Sequence, residues 1–367
     1  MSKHPSDRTL ALANRLGEAG IDAYLAWDPI TMGYMEGFFE GSHERFLTLA
    51  ISAKGDVQLI CPSLSAAQAR RGGIVNIDSW ADGEDPLALF ADLAVKWDLK
   101  SGIIAVDATM PSRMLLQLQS VLPAALFKNG EELVSAGMGR KDADEIDKLH
   151  RSGRIADDTY IEVLPQIKAG MTENELGRLL KDGMSNRGGK PTFCIVAAGR
   201  NGAEPHHLTD DTVLERGDVV IIDFGCELEG YQSDITRTVA IGEASDEAKK
   251  VYDIVYRAHM AARAAIRPGV SGEAIDNGAR DVIVAAGYGP QFYHRTGHGI
   301  GMNGHEHPNM VAGNVTPLVA GNCFSIEPGI YLEGNFGVRI ENIVACTESG
   351  HMSMNDEPAS ELYVTPR

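Results

Sequence analysis

Four carboxylates in this 367-residue chain interrupt runs that belong in a protein interior. Asp223 follows Val219-Val220-Ile221-Ile222 in GDVVIIDFG, and Asp234 comes eleven residues later in GYQSDITRTV. Glu327 sits in FSIEPGIYL and Glu341 in GVRIENIV. An ionised carboxylate within an apolar strand is costly unless something pairs with it. If Glu227–Gly230 close a four-residue turn, Asp223 faces Asp234 across the ladder, with Cβ atoms about 4.5–5.5 Å apart. A three-residue loop at Glu333-Gly334-Asn335 sets Glu327 opposite Glu341 in the same way. Like charges facing each other destabilise a ladder. Two such pairs either occupy solvent-facing edges or share cations, and the apolar flanks favour cations.

A nitrogen donor lies close by. Phe292 to Pro308 reads FYHRTGHGIGMNGHEHP, with His294, His298, His305 and His307 among Gly297, Gly299 and Gly301, which permit close backbone approach. Surface loops also carry such histidines. Four carboxylates and one imidazole suit two hard to borderline divalent ions, and the lack of thiolates argues against a closed structural zinc site. Four negative charges neutralise two such cations, and the residual field can stabilise a bridging hydroxide at neutral pH. HEHP is not HExxH, because its second histidine falls two residues after the first. Gly297-x-Gly299-x-Gly301 lacks the spacing and the following Lys-Ser/Thr of a phosphate loop.

Together, DFG, GYQSDITRT, HRTGHGIG, HEHP, IEPGIY and GVRIEN resemble the motifs of the pita-bread metallopeptidases, within them the Xaa-Pro aminopeptidase and prolidase branch. The resemblance covers roughly the last 225 residues and extends more weakly to GYMEGFFEGSHERF near the start. It implies that Asp223 chelates one metal, that His298 and Glu327 hold the other, and that Asp234 and Glu341 bridge both. Glu327 matches the family's general acid/base. His206, in GAEPHHLTDD, matches a histidine near the leaving amine, with His207 in a supporting place. His305 matches one that steadies the scissile carbonyl, and His294 one on the S1′ side. Arg339 matches an arginine that holds the bridging carboxylates. Tyr331 and Arg237 are weaker supporting matches, with a packed tyrosine and a surface arginine as the plain alternatives.

The implied reaction is hydrolysis of an Xaa-Pro bond, at a peptide N-terminus or in a dipeptide, by a hydroxide bridging two divalent ions, manganese first and cobalt or zinc after it. Proline offers no N–H to a generic peptidase site, so a dedicated pocket is expected. Asn309 stands where dipeptide-cleaving relatives carry an arginine for the substrate carboxylate, which leaves longer Xaa-Pro peptides open. The rival reading is a non-peptidase hydrolase or lyase of this fold acting on a small amide, an ectoine derivative or a sulfonium compound. Intact ligand positions disfavour a decayed binding protein. The resemblance also implies a homodimer and an N-terminal domain that caps the site.

The elements that must position these residues are α/β throughout. In the first third, apolar runs at 23–27, 46–51, 57–61 and 103–106 predict a sheet of about five strands, with a hairpin at Lys54-Gly55-Asp56. Helices are expected at 9–19, 64–71, 86–97 and 112–121. SAGMGRKDADE marks a composition shift, which gives an N-terminal creatinase/prolidase-like domain at 1–134, a linker at 135–144 and a pita-bread catalytic domain at 145–367. There, helices are expected at 143–167, at 173–187 behind the capping box at Thr172–Glu175, and after Ser245 and Ser271. Strands are expected at 192–198, 218–226, 231–241, 323–332 and 337–347.

Composition limits the rest. Thirty-three Lys plus Arg against 51 Asp plus Glu give a net charge of −18, a poor footprint for nucleic acid. No stretch approaches the roughly 18 apolar residues of a membrane span. Cys61, Cys194, Cys226, Cys323 and Cys346 are scattered and never form CxxC, as in a reducing compartment. The start has no basic segment followed by an apolar run, so the expectation is a cytoplasmic protein. The Asn314-Val315-Thr316 sequon carries little weight without such a signal.

Overall fold

The computed structural model describes residues 5–41 and 44–366. Ser42 and His43 of GYMEGFFEGSHERF lie outside the described residues. The chain forms two compact units, Met1–Met138 and Gly139–Arg367.

The first unit opens with α1 (Asp7–Glu18), β1 (Ala23–Ala26), α2 (Pro29–Glu36), β2 (Thr48–Ser52), β3 (Val57–Pro62) and α3 (Ser63–Arg71). It continues with β4 (Ile77–Trp80), α4 (Pro86–Lys96), β5 (Ile103–Val106), α5 (Ser112–Val121), β6 (Leu126–Asn129) and α6 (Glu131–Met138). The strands form a mixed sheet in the order β4-β3-β2-β1-β5-β6. It has six strands, not about five. The two missed ones, IDSW and LFKN, are its edges and carry too many exposed residues to show an apolar run. Burial supplies the driving force: Leu25, Ile60, Phe90, Leu93, Ile104 and Leu118 share one core. The Lys54-Gly55-Asp56 turn joins β2 to β3 as expected, with Gly55 left-handed.

The second unit runs α7 (Ala143–Val163), α8 (Glu173–Asn186), β7 (Lys190–Ala198), β8 (Val219–Leu228), β9 (Tyr231–Gln232), β10 (Ile235–Ala240), α9 (Asp246–Ala264) and α10 (Gly272–Ala285). Then come β11 (Gly297–Gly299), β12 (Glu306–Met310), β13 (Cys323–Ile326), β14 (Gly329–Leu332), β15 (Phe336–Arg339), β16 (Asn342–Thr347), β17 (Gly350–Ser353) and β18 (Tyr363–Val364). The capping box Thr172/Glu175 opens α8 as expected, and Asp142/Glu145 form a second one at α7.

This unit is a helix-pair-on-sheet arrangement made twice. Leu176, Leu180 and Met184 of α8 pack with Ile155 and Ala156 of α7 on Val220, Ile222 and Phe224. Val251, Val255 and Ala258 of α9 and Ile275, Ala279 and Ile283 of α10 cover Phe324, Ile326, Ile330 and Val338. In β8 the even-numbered residues face the helices, so the period of two sends Ile221 and Asp223 to the opposite face. There Ile221 meets Ala197 and Tyr331.

Three strands expected to be continuous are broken. The 231–241 strand parts at Ser233-Asp234, 323–332 at Glu327-Pro328, and 337–347 at Ile340-Glu341. Each break holds one of the carboxylates singled out above.

Candidate metal centre

The β8–β10 ladder pairs Asp223 with Thr236 and Phe224 with Ile235. Beyond the break, β8 pairs with β9 as Glu227 with Gln232 and Leu228 with Tyr231. The expected Asp223–Asp234 register is therefore wrong by two residues. The turn is the two-residue Glu229-Gly230, with φ of 52° and 84°, which suits a hairpin turn with two left-handed positions. An even slip preserves the face, so Asp234 still joins Asp223 on one side of the sheet. Gly225 lets the chain pass the break, since a Cβ there would lie 2.0 Å from Ser233 O.

In the second ribbon the expected register holds. Gly329 pairs with Arg339 and Leu332 with Phe336 around Glu333-Gly334-Asn335, and Ile326 pairs with Asn342 beyond the break. Glu327 and Glu341 are thus counterparts within one register. The ribbons are stitched together by threonines. A lone antiparallel bridge joins Thr236 to Glu341, whose N–H donates to Thr236 O at 3.1 Å. The Thr236 hydroxyl donates to Glu341 Oε2 at 2.7 Å, and that of Thr238 donates to Arg339 O at 2.8 Å. The sequence reading passed over both hydroxyls, although alternation in DITRT places them on the face of Asp234.

Asp234, His298 and Glu341 are buried and each offers a ligand atom within 4.8 Å of the others. His298 Nε2 lies 3.3 Å from Glu327 Oε1 and 3.8 Å from Asp234 Oδ2. Its Nδ1 lies 3.0 Å from Gly299 O, which keeps the proton on Nδ1 and leaves the Nε2 lone pair for a cation. Ser325 donates to Glu327 Oε1 and accepts the His298 N–H, both at 3.0 Å. Arg339 donates to Asp223 Oδ2 at 2.6 Å, to Tyr331 Oη at 3.1 Å and to Thr236 Oγ1 at 3.2 Å.

Unmet acceptors test whether a cation fits. Asp223 Oδ1, Asp234 Oδ1 and Glu341 Oε1 are buried and have no hydrogen-bond partner. Asp223 and Glu341 each present one oxygen held by protein and one left for something else, which fits a cation-binding donor set. Burial, followed by the charge of Glu341 and of Asp223, holds the Asp234 carboxyl far above the usual range. Glu341 is raised by burial, Glu327 and Asp223. Burial also raises Glu327, which His294 and Arg339 oppose. His298 is pushed down to about 4, first by burial. Burial leads every one of these shifts; crowded negative charge adds to it at the carboxyls, whereas at His298 burial alone leads and keeps the imidazole neutral.

The other candidates surround this cluster. The His305 ring packs on that of His298 with centroids 3.9 Å apart. His206 is exposed and close enough to His305 for the two rings to interact. His294 Nε2 lies 2.8 Å from Tyr331 Oη and its Nδ1 lies 2.7 Å from Arg295 O, so both ring nitrogens are engaged within the protein. Tyr331 is buried and hydrogen-bonded. Arg237 is buried, not a surface arginine; it donates to Glu341 O at 2.6 Å and to Asp356 O at 2.9 Å. Asn309 Oδ1 accepts a bond from Arg295 at 2.8 Å. His307 is exposed. Lys141 and Glu173, not among the expected site residues, bond to Glu306 and His207, the neighbours of His305 and His206.

Residues 147–348 match the description "Metallopeptidase family M24", and residues 8–137 match the creatinase/prolidase N-terminal domain. The chain belongs to the M24 metallopeptidases and is a metallohydrolase. It is 38% identical over 369 residues to a probable dipeptidase PepE of Mycobacterium tuberculosis, covering 98% of this chain and 96% of that one. It is 36% identical to an Xaa-Pro dipeptidase of Lactobacillus helveticus, covering 89% and 90%. The crystal structure of a Thermococcus sibiricus prolidase superposes with a TM-score of 0.93 at 33% identity, covering 98% of both chains. The expected α/β architecture, with its N-terminal creatinase/prolidase-like part and M24 catalytic part, is thereby established.

No helix among the described residues is long and apolar enough to cross a membrane. All five cysteines are free, four of them buried.

Proposed function

We propose that this protein is a two-metal Xaa-Pro peptidase that acts on dipeptides and on the N-terminal Xaa-Pro bond of short peptides. The observation that carries the reading is that Asp234, His298 and Glu341 each offer a ligand atom within 4.8 Å of the others, while one buried oxygen each of Asp223, Asp234 and Glu341 has no hydrogen-bond partner. The relatives named as Xaa-Pro dipeptidase and prolidase support the bond class.

In this reading Asp223 would hold one ion and His298 and Glu327 the other, with Asp234 and Glu341 serving both. Manganese suits the oxygen-rich set with a single imidazole; cobalt and zinc are also compatible. Bound divalent ions polarise the scissile carbonyl and bring the pKa of water down toward neutrality. Glu327 passes the proton toward the leaving nitrogen, its carboxyl raised by burial and steered by Ser325. His305 steadies the carbonyl oxygen, and His206 meets the substrate near the leaving amine. His294 shapes the prolyl side with its ring, because its nitrogens are already engaged. Arg339 holds Asp223, and through Thr236 it supports Glu341. A cytoplasmic homodimer belongs to the same reading, supported by the resemblance and, for the compartment, by the free cysteines.

The test is a panel of Xaa-Pro dipeptides, Xaa-Pro-Xaa tripeptides and non-proline amides, each with and without manganese. Release of the residue before proline, dependent on added ion, is expected. Turnover confined to non-proline amides would overturn the peptidase reading in favour of the small-amide alternative.

A further inference from the structure

His206 and His305 are exposed, yet each is followed directly by a residue whose side chain is bonded to a buried partner. His207, after His206, has its Nε2 2.8 Å from Glu173 Oε2. Glu173 is fully buried at the start of α8, and its other bonds go to the same segment. It accepts the N–H of Ala198 at 2.8 Å, the amide of Asn201 at 3.0 Å and the N–H of Asp210 at 3.1 Å. Glu173, His207 and Asp210 thus have the composition of a metal cluster, but the Glu173 lone pairs are spent on the loop. A second side of that loop is fixed by backbone contact, because a Cβ on Gly337 of β15 would lie 1.8 Å from Gly202 O.

Glu306, after His305, is built on the same plan. Its Oε2 lies 2.7 Å from Lys141 Nζ, with side-chain exposures of 6% and 1%. Its Oε1 accepts the Asn303 N–H at 2.9 Å, and the Lys141 N–H donates to Gly321 O at 2.8 Å. A buried ion pair is weak evidence for stability, because desolvation offsets most of its attraction. What such a pair does supply is a fixed geometry, since any other arrangement leaves a buried charge unmet.

We infer that Glu173, through His207, and Lys141, through Glu306, are positioning residues that hold His206 and His305 against the carboxylate cluster. The inference rests on the peptidase reading, which assigns both imidazoles to the substrate. Displacing a positioned group by 1 Å can cost about 100-fold in rate, so the anchors act on turnover without touching substrate or ion.

The experiment is a crossed set of double-mutant cycles in manganese-loaded enzyme, reading kcat, KM and metal content for Glu173→Gln, Glu306→Gln, His206→Ala, His305→Ala and the four anchor–histidine doubles. Glu173→Gln is expected to lower kcat/KM about 10- to 100-fold with metal content unchanged. It should lose most of that factor in the His206→Ala background and keep it in the His305→Ala background. Glu306→Gln should show the mirror image. Factors that multiply alike in both backgrounds, or metal lost with either anchor, would overturn the inference. Should Glu306→Gln not fold, Lys141→Met combined with Glu306→Gln removes the pair without stranding a charge. Wild-type protein inert on the whole peptide panel would refute the peptidase reading instead. Amide exchange then decides the anchor at Glu173: Ala198 and Asp210 must exchange faster in Glu173→Gln, and unchanged exchange overturns it.

Discussion

The two ribbons solve one problem with different precision. In β13–β16 a single register runs through the break, so Glu327 and Glu341 are direct counterparts. In β8–β10 one register also runs through the break at Ser233-Asp234, but it sets Asp223 opposite Thr236 instead of Asp234. The threonine then hands the row on to Glu341. The carboxylates therefore meet across a seam between two ribbons, more than as two facing pairs. Face, set by the period of two, tolerates an error of two residues in register; the exact partner does not matter to which side the group reaches.

The largest effects should come from the shared oxygens. Asp234→Asn or Glu341→Gln is expected to abolish turnover and lower bound metal while circular dichroism shows a folded chain. Full activity with unchanged metal content would break the proposed bridging roles. The seam itself is tested by Thr236→Val, which leaves Glu341 with a second unmet buried oxygen. A cost of about 1–3 kcal/mol in stability and a fall in metal affinity of about 10- to 100-fold are expected by titration. An effect confined to stability would reduce the threonine to a packing role.

The electrostatics give a pH prediction. Asp234 and Glu341 have folded pKa values above their unfolded ones, so for metal-free protein their contribution is favourable in acid and lost as pH rises through the folded values. His298 works the other way: lowered to about 4, it weakens the fold as pH falls below its unfolded value of about 6.5. Cations need the carboxylates ionised and the imidazole neutral. The gap in melting temperature between manganese-loaded and chelator-treated protein should therefore widen from pH 5 to pH 8. A gap that is constant or narrows would sink the assignment.

The smallest effect separates the two turns. Glu229 sits at φ 52° and Gly334 at φ 74°, but only the second is a residue type at ease there. Glu229→Asn should relieve part of that strain while losing an exposed ion pair with Arg151. The net change is expected to be under about 1 kcal/mol, with turnover untouched.

That turn also explains what the sequence did and did not disclose. Glu333-Gly334-Asn335 signals its loop openly, and the Glu327–Glu341 register followed from it. Glu229-Gly230 does not, because glutamate is a poor left-handed residue, and the segment therefore reads as a longer turn. The buried runs of β8 and β13, the capping box at Thr172 and the carboxylate set were legible because each is local. The strand breaks at Glu327 and Glu341 were not, since their N–H groups bond to Thr296 O and Thr236 O, both far away in the chain. For Arg237 the sequence leaves a surface arginine open as the alternative, because alternation cannot show that a second layer, with Asp356, covers the far face. Glu173 read only as a first-turn acid of α8; nothing near it in the chain announces the loop it gathers. Edge strands β4 and β6 lacked the apolar run that marks a strand.

The threonine seam has one further consequence. The two helix-backed halves meet there through one backbone bridge, two threonine hydroxyls and the guanidinium groups of Arg237 and Arg339, beside acidic groups that repel one another. Whatever neutralises those groups also fastens the halves together. Deprived of its ion, such a protein would grow easier for cellular proteases to cut at the same time as it fell silent, so scarcity would govern its abundance and its chemistry through a single balance of charge.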